Sequence, residues 1–486
     1  MPHSNAGRVS VRIPVDHTVG PRTMVAMLGG WRAGGPAYEQ LAGGIRRLVA
    51  DGRLPMQSRL PAERHLAAEL GVSRNTVTAA YELLRDEGYL DSCQGSGTWT
   101  TLPDQPAARD DGGAARIDLT VAAPMAPPGL RRHVDAAVAG IGEFLGLHGY
   151  EPLGLPVLRA AVAAHLTSGG LPTRASQVLV TNGAGQALDL VIRALLRRGG
   201  SALVELPTYP SALDTFRAAG VRMVHVPVSA AGWDLRLMRT TFHRARPTLA
   251  YVVPDFQNPT GALIGDADRA EMLALALHAD CHVLVYQTFI DVRFGDDPPP
   301  RMMAQVSDDP RVLTVGSMSK AFWGGLRIGW VRATPTMVQR LGRARATQDM
   351  ASPVIEQLVA ARLLDHPGRV LAGQRARARG QRDVLEAALR RRLPGWKWTT
   401  PGGGLCLWVE LPEPYSESLA SHAAQQGVRL APGPRFGVPG TLDRFVRIPF
   451  SLPAPILEEA VERLARAAAA AETSANLPRR GPAYVA

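Results

Sequence analysis

Apolar positions in the first hundred residues recur at helical spacing. Tyr38, Leu41, Ile45, Leu48 and Val49 share one face, weakened in the middle by Gly43-Gly44. A second helix is predicted from Pro61, a residue type favoured at the first helical position, to Leu70, with Gly71 closing it. Ser73 supplies an N-cap for a third, whose stripe of Val77, Ala80, Tyr81 and Leu84 runs until Gly88. Tyr89–Cys93, the turn Gln94-Gly95-Ser96-Gly97 and Thr98–Thr101 read as a short hairpin. Residues 1–35 carry no sustained period and are predicted to be an irregular arm.

Residues 102–116 are rich in Pro, Ala, Gly and Asp and read as a linker. Beyond them, β-like runs alternate with helical stretches: Gln177–Thr181, Ala202–Glu205, Leu249–Val253, His282–Tyr286 and Val312–Gly316. Such alternation predicts an α/β fold of βαβ units around a mostly parallel sheet, over residues 117–350. Residues 351–470 read as a long Arg/Ala-rich helix and a small α+β subdomain, with strands near Gly404–Glu410 and Phe445–Ile448. Residues 471–486 are expected to fray into a tail.

Composition narrows the classes. At 486 residues, 46% apolar and 20% charged, the chain is large enough for two or three folded units and unlike disordered, collagenous or coiled-coil sequences. No stretch reaches the roughly 18 uncharged apolar residues of a membrane helix, and no signal-peptide layout opens the chain, so a soluble cytoplasmic protein is expected. Cys93, Cys281 and Cys406 fit neither a disulfide framework nor a zinc cluster, so no metal site is expected. The net charge of +11 suggests nucleic acid, but residues 36–100 hold seven Arg against eight acids. Part of the excess lies in Arg369–Arg392, eight Arg against two acids, read as a solvated basic helix face. Lys320 and Lys397 are the only lysines, which leaves two candidates for any primary-amine chemistry.

Three helices and a two-stranded wing match a winged helix-turn-helix (residues 36–101), with the helix from Ser73 as its recognition helix. Ser73, Arg74, Asn75 and Thr76 crowd the first turn, where donors meet phosphates and base edges. Arg59 and Arg64 are placed to reach the flanking backbone, and Gly95 and Gly97 let the wing tip approach a groove. The elements Arg59-Leu60-Pro61-x-Glu63-Arg64, Leu70-Gly71-Val72-Ser73-Arg74-x-Thr76-Val77 and Gly95-Ser96-Gly97-Thr98 resemble the DNA-binding domain of GntR-type bacterial repressors. That resemblance implies that Arg64, Arg74 and the Ser73–Thr76 turn contact double-stranded operator DNA. With the domain nearly neutral, a dimer reading two half-sites is expected.

Four separated elements carry the chemistry of the rest. Thr181-Asn182-Gly183-Ala184-Gly185 opens a helix and offers backbone N–H groups to a phosphate. Asn258-Pro259-Thr260-Gly261 puts an amide at a tight turn. Ser317-x-Ser319-Lys320 ends a strand, and Arg327 follows between Gly325 and Gly329; an amine beside hydroxyls and a guanidinium suits an aldehyde cofactor with a phosphate. Arg447, in the last strand-like run, offers a fork to a carboxylate.

Together these resemble the fold-type I pyridoxal-phosphate enzymes of the aspartate aminotransferase group, over roughly residues 118–469. The resemblance implies that Lys320 is the catalytic amine that forms the internal aldimine, and that Ala184, Gly185, Ser317, Ser319 and Arg327 bind the phosphate. It implies further that Tyr209 stacks on the pyridine ring, Asn258 and Thr288 meet the ring oxygen, and Arg447 receives an amino-acid carboxylate. Tyr150 and Gly154 match the group's substrate-side segment. One position departs: Tyr286 stands where the group has an acid that keeps the pyridine nitrogen protonated. A phenol stabilises a pyridinium poorly, so slow or absent transamination is expected, unless a shifted register brings in Asp291. The two halves together resemble the MocR subgroup of GntR-family regulators. That implies a homodimeric transcription factor that uses pyridoxal 5'-phosphate to sense the cofactor itself or an amine or amino-acid effector. The alternatives are a working aminotransferase with a DNA-binding appendage and a cofactor-free regulator with a degenerate pocket.

Overall fold

The computed structural model describes residues 17–32, 36–50, 54, 58–87, 89–93, 97–100, 117–295, 300–438 and 440–476. The described residues divide into two compact units, residues 17–100 and residues 117–476. The linker expected at 102–116 and the turn Gln94–Ser96, with Gly95, lie outside the described residues.

In the first unit the helices Ala37–Ala50, Glu63–Leu70 and Arg74–Asp86 pack around Leu41, Ile45, Leu66, Val77, Tyr81 and Leu84. Gly71, at φ 63°, caps the second helix in the left-handed region that glycine tolerates. That helix begins at Glu63 rather than at Pro61, since Ala62 is non-helical at φ −59° and ψ 140°; the Pro61 carbonyl accepts from the buried Tyr81 hydroxyl at 3.0 Å. The strands Leu90–Cys93 and Gly97–Thr100 form the wing. The expected irregular arm is a correction in part. His17–Thr18 adds a strand beside Ser58–Arg59, and Pro21–Leu28 is a helix. Met24 and Trp31 are buried in the same core, and that burial orders a segment whose own periodicity is weak.

The second unit is built on an eight-stranded sheet. Its order is Val178–Thr181, Gly329–Arg332, Val312–Ser317, His282–Tyr286, Leu249–Val252, Ser201–Leu206, Arg222–Ser229 and Gly232–Trp233. Pairing is parallel except around Gly329–Arg332 and at Gly232–Trp233. Val283 and Val285 face one core, while Leu284 and Tyr286 face the other. Both faces are therefore covered, as the continuous apolar runs require.

A second sheet, ordered Cys406–Glu410, Phe445–Pro449, Val428–Pro432 and Ile117–Leu119, forms the smaller layer. The Arg/Ala-rich stretch is two helices, Val354–Asp365 and Pro367–Arg392. Nor is its basic run simply solvated. Arg375, Arg377, Arg379 and Arg382 donate to the carbonyls of Asp291, Ala126, Phe294 and Pro401, while Arg390, Arg391 and Arg392 pair with Glu386, Glu458 and Glu462. The last helix, Ala454–Asn476, runs past the expected start of the tail. Among the described residues no helix is long and apolar enough to cross a membrane.

Candidate functional site

The parallel strands end around a cavity of about 140 Å³ in the second unit, lined by loops from four strand ends and by the start of the helix Ala184–Leu195. At that helix the chain turns through Gly183, at φ 81°, where a Cβ would come within 2.6 Å of Arg327 Nη2; only glycine fits. The first N–H groups of the helix, at Ala184 and Gly185, have no partner within the helix and line the cavity. Arg327 donates to the Asn182 carbonyl at 3.2 Å, which sets its guanidinium beside this turn. Behind the turn, Asp349 accepts from Asn182 Nδ2 and is gripped by the fully buried Arg345 at 2.7 Å.

Ser317 ends the strand Val312–Ser317 and caps the short helix Met318–Ala321, accepting from Ser319 N at 3.1 Å. Both serines line the cavity with Lys320. The Lys320 amine donates to the Ala122 carbonyl at 2.7 Å and lies 5.7 Å from the Phe289 ring centre. Burial, with the positive charges of Arg447 and Arg327 opposing a weaker pull from Cys406, lowers the ammonium to about 8. A useful fraction of the amine is then neutral near physiological pH. Lys397 is no rival, since it is exposed, does not line the cavity and pairs with Glu410 through its backbone.

Tyr209, Asn258, Tyr286 and Thr288 also reach the cavity. Asn258 Oδ1 accepts from Arg447 Nη1 at 3.4 Å, so the amide nitrogen remains for a ligand. The Thr288 hydroxyl is buried without a partner. Arg447 is buried, lies 5.0 Å from the Phe436 ring centre and donates to the Thr120 carbonyl. Its Nε has no partner, and among the described residues no carboxylate forms an ion pair with it. A buried guanidinium with a free donor can pair with an anion.

Tyr286 ends its strand paired with Val315, as expected, and its ring lies 6.4 Å from Tyr209. Asp291 does not compensate, because it faces His165 at 3.1 Å and Arg375. Tyr150 does not join this cavity; it is 54% exposed and stacks on His148. Gly154 serves packing, since a Cβ there would come within 2.4 Å of Val180.

Four cavity contributors escaped the sequence reading. Tyr251, Val253 and Phe289 line it, and Ala122 anchors the amine through its carbonyl. Phe289 could have been found beside Thr288, and Tyr251 from its strand register, whereas a backbone carbonyl leaves no signal in the sequence. Cys406 also packs beside Asn258, with Sγ 4.0 Å from Oδ1.

In the first unit, Ser73 caps the recognition helix by accepting from Thr76 N at 3.1 Å, and its hydroxyl meets that of Thr76 at 2.8 Å. Arg64, Arg74 and Asn75 are exposed. Arg74 Nε lies 3.6 Å from Glu63, an acid that also accepts from Thr78. The pair is exposed enough to exchange for a phosphate at little cost. Arg59 lies against the wing, where a Cβ on Gly97 would come within 2.8 Å of its Nε.

The residues of the cleft fit a cofactor that carries both aldehyde and phosphate. The glycine-only turn beside Arg327, the orphaned Thr288 hydroxyl and the partly neutral amine each provide for one part of it.

Comparison with known proteins agrees with this geometry. Residues 125–464 match the family "Aminotransferase class I and II", and residues 37–99 match "Bacterial regulatory proteins, gntR family". The 2-aminoadipate transaminase of Thermus thermophilus is 29% identical, covering 82% of this chain and 94% of that protein. The probable rhizopine catabolism regulatory protein MocR of Rhizobium meliloti is 28% identical, covering 82% and 86%. The crystal structure of the α-aminoadipate aminotransferase LysN from T. thermophilus, complexed with N-(5'-phosphopyridoxyl)-L-leucine, superposes with a TM-score of 0.68. It is 30% identical and covers 74% of this chain and 93% of that one.

Proposed function

The chain belongs to the class I and II aminotransferase family, here joined to a gntR-type helix-turn-helix as a MocR-like transcriptional regulator, and on that premise we propose that its large domain holds pyridoxal 5'-phosphate on Lys320 to sense the cofactor itself or an amine or amino-acid effector. When bound, the cofactor supplies an aldehyde that condenses reversibly with amines. Ala184, Gly185, Ser317, Ser319 and Arg327 bind the phosphate, Tyr209 packs on the ring, Asn258 and Thr288 hold the ring oxygen, and Arg447 receives the effector's carboxylate. The observation that carries the reading is the Lys320 amine, partly neutral and fixed by Ala122 in the same cavity as Arg327.

Arg59, Arg64, Asn75 and Arg74, with the Ser73–Thr76 turn, form the face toward operator DNA. A second copy of the chain brings the other half-site reader. Exposed Leu145, Leu147 and Tyr150, at 73%, 63% and 54%, offer an apolar surface for that copy. A protein reading operator DNA works in the cytoplasm.

Borohydride reduction of the full-length protein with pyridoxal phosphate, followed by mass spectrometry, tests the assignment. Lys320→Ala is expected to lose the covalent adduct and keep its circular dichroism. An undiminished adduct would refute the role given to Lys320. Operator affinity measured with and without cofactor and amino acids then tests the sensing; an unchanged affinity under every ligand would refute it.

A further inference from the structure

Resting on that reading, we infer that the cleft takes the cofactor with its pyridine nitrogen uncharged, Tyr286 donating a hydrogen bond where the family's acid would pair with a cation. Three tyrosines meet at this end of the cavity. Tyr286 lies 5.5 Å from Tyr251 and 6.4 Å from Tyr209, ring centre to ring centre, and all three line the space. The Tyr251 hydroxyl is fully buried with no hydrogen-bond partner, although Thr208 lies close by. Burial pushes the Tyr286 and Tyr251 phenols well above their ordinary range, so both stay neutral and remain donors.

Among the described residues, no acid lines the cavity to replace the missing one. Glu205 accepts from Val253 N, Trp233 Nε1 and Gln257 Nε2. Asp255 is bound by Arg269 at 2.6 Å and by Gln287 at 2.7 Å. Asp291 is held by His165 and Arg375. None of the three lines the cavity, whereas Lys320 and Arg327 do and Arg447 lies beside Asn258. A pyridinium would therefore sit against neutral phenols with no carboxylate to balance it, in a cleft whose charged side chains, Arg327 and Arg447, are both cations. An unprotonated ring meets the same groups without repulsion and accepts a hydrogen bond from the phenol, which keeps its proton.

This deepens the sensing role. A neutral ring withdraws electrons from an attached amino acid weakly, so the bonds at its α-carbon break slowly. An effector amine exchanging with Lys320 is thus held as a ligand rather than consumed.

The test uses full-length protein loaded with pyridoxal phosphate labelled with ¹⁵N in the ring. The expected resonance is that of a hydrogen-bonded, unprotonated pyridine throughout pH 6–8, moving to the pyridinium position in Tyr286→Asp. In Tyr286→Phe, affinity for pyridoxal phosphate should fall about three- to tenfold, the range of one neutral hydrogen bond, with affinity for the 1-deaza analogue unchanged. A pyridinium resonance in the parent protein at pH 7 would overturn the inference and leave the cofactor reading standing. Equal weakening of both analogues by Tyr286→Phe would also overturn it, since the phenol would then be a packing element. A parent protein that binds pyridoxal phosphate only after Tyr286→Ala would overturn it by making the phenol a plug. Failure of the parent and every variant to bind would overturn the cofactor reading together with it.

Discussion

The buried amine of Lys320 makes a two-sided prediction about pH. With the ammonium lowered to about 8, roughly one tenth of the amine is neutral at pH 7. An ordinary lysine at 10.5 would offer about 300-fold less. Adduct formation by full-length protein stripped of cofactor, followed by visible absorbance after mixing with pyridoxal phosphate, should rise about tenfold per pH unit up to about pH 8 and then level off. The same shift acts on stability with a definite sign. The folded value lies below the unfolded one, so folding bears the full cost of a buried ammonium below about pH 8. That cost fades as the unfolded chain also loses its proton toward 10.5. About 2.5 units at 1.36 kcal/mol each give an upper bound near 3 kcal/mol. Lys320→Met removes the ammonium and strands the Ala122 carbonyl, which returns about 1 kcal/mol. The cofactor-free variant should therefore be about 2 kcal/mol more stable than the parent at pH 7 in urea unfolding, and no more stable at pH 10.5. A rate that keeps climbing to pH 10, or a Met variant no more stable than the parent at pH 7, would refute the desolvation account.

Three further outcomes follow from the contacts. Asp255→Asn leaves Arg269, fully buried, without its carboxylate; a loss of about 3–5 kcal/mol is expected as a lower urea midpoint at unchanged slope. Gly183→Ala forces a Cβ to 2.6 Å from Arg327 at φ 81° and should weaken pyridoxal-phosphate binding at least about tenfold in a fluorescence titration, with the fold retained. Arg74→Ala should weaken operator binding by about 1–3 kcal/mol in a mobility-shift assay while cofactor loading stays unchanged; parallel loss of both would indicate unfolding instead.

Much of this was legible because local chemistry and tertiary context agree. The cap at Ser73, the apolar strand runs and the place of Lys320 just beyond a strand end are each dictated within a few residues. The scarcity of lysine did the rest, since Lys397 could be set aside on position. What escaped depends on partners far along the chain. Ile117–Leu119 becomes a strand only by pairing with Val428–Pro432, about 300 residues on. The helix Pro21–Leu28 exists because Met24 and Trp31 find a core made elsewhere. Arg375, Arg377, Arg379 and Arg382 looked solvated because their acceptors are backbone carbonyls of segments that no sequence window contains.

That last point changes what the net charge of +11 means. Cations spent on carbonyls and on neighbouring acids release no counterions from DNA, so they contribute little to operator affinity. The recognition helix itself offers Arg74 against Glu63, and its unit is close to neutral. One such reader is expected to bind weakly, and two readers linked at a spacing that matches the half-sites would supply the missing affinity. In a protein built this way, the cleft need not touch DNA to govern it. In the dimer proposed above, a ligand on Lys320 that bound two arrangements unequally would change how well the readers match their half-sites, and occupancy would follow. A neutral phenol at the ring nitrogen, as inferred above, would serve that design, because a signal read through binding is lost once the ligand is turned over.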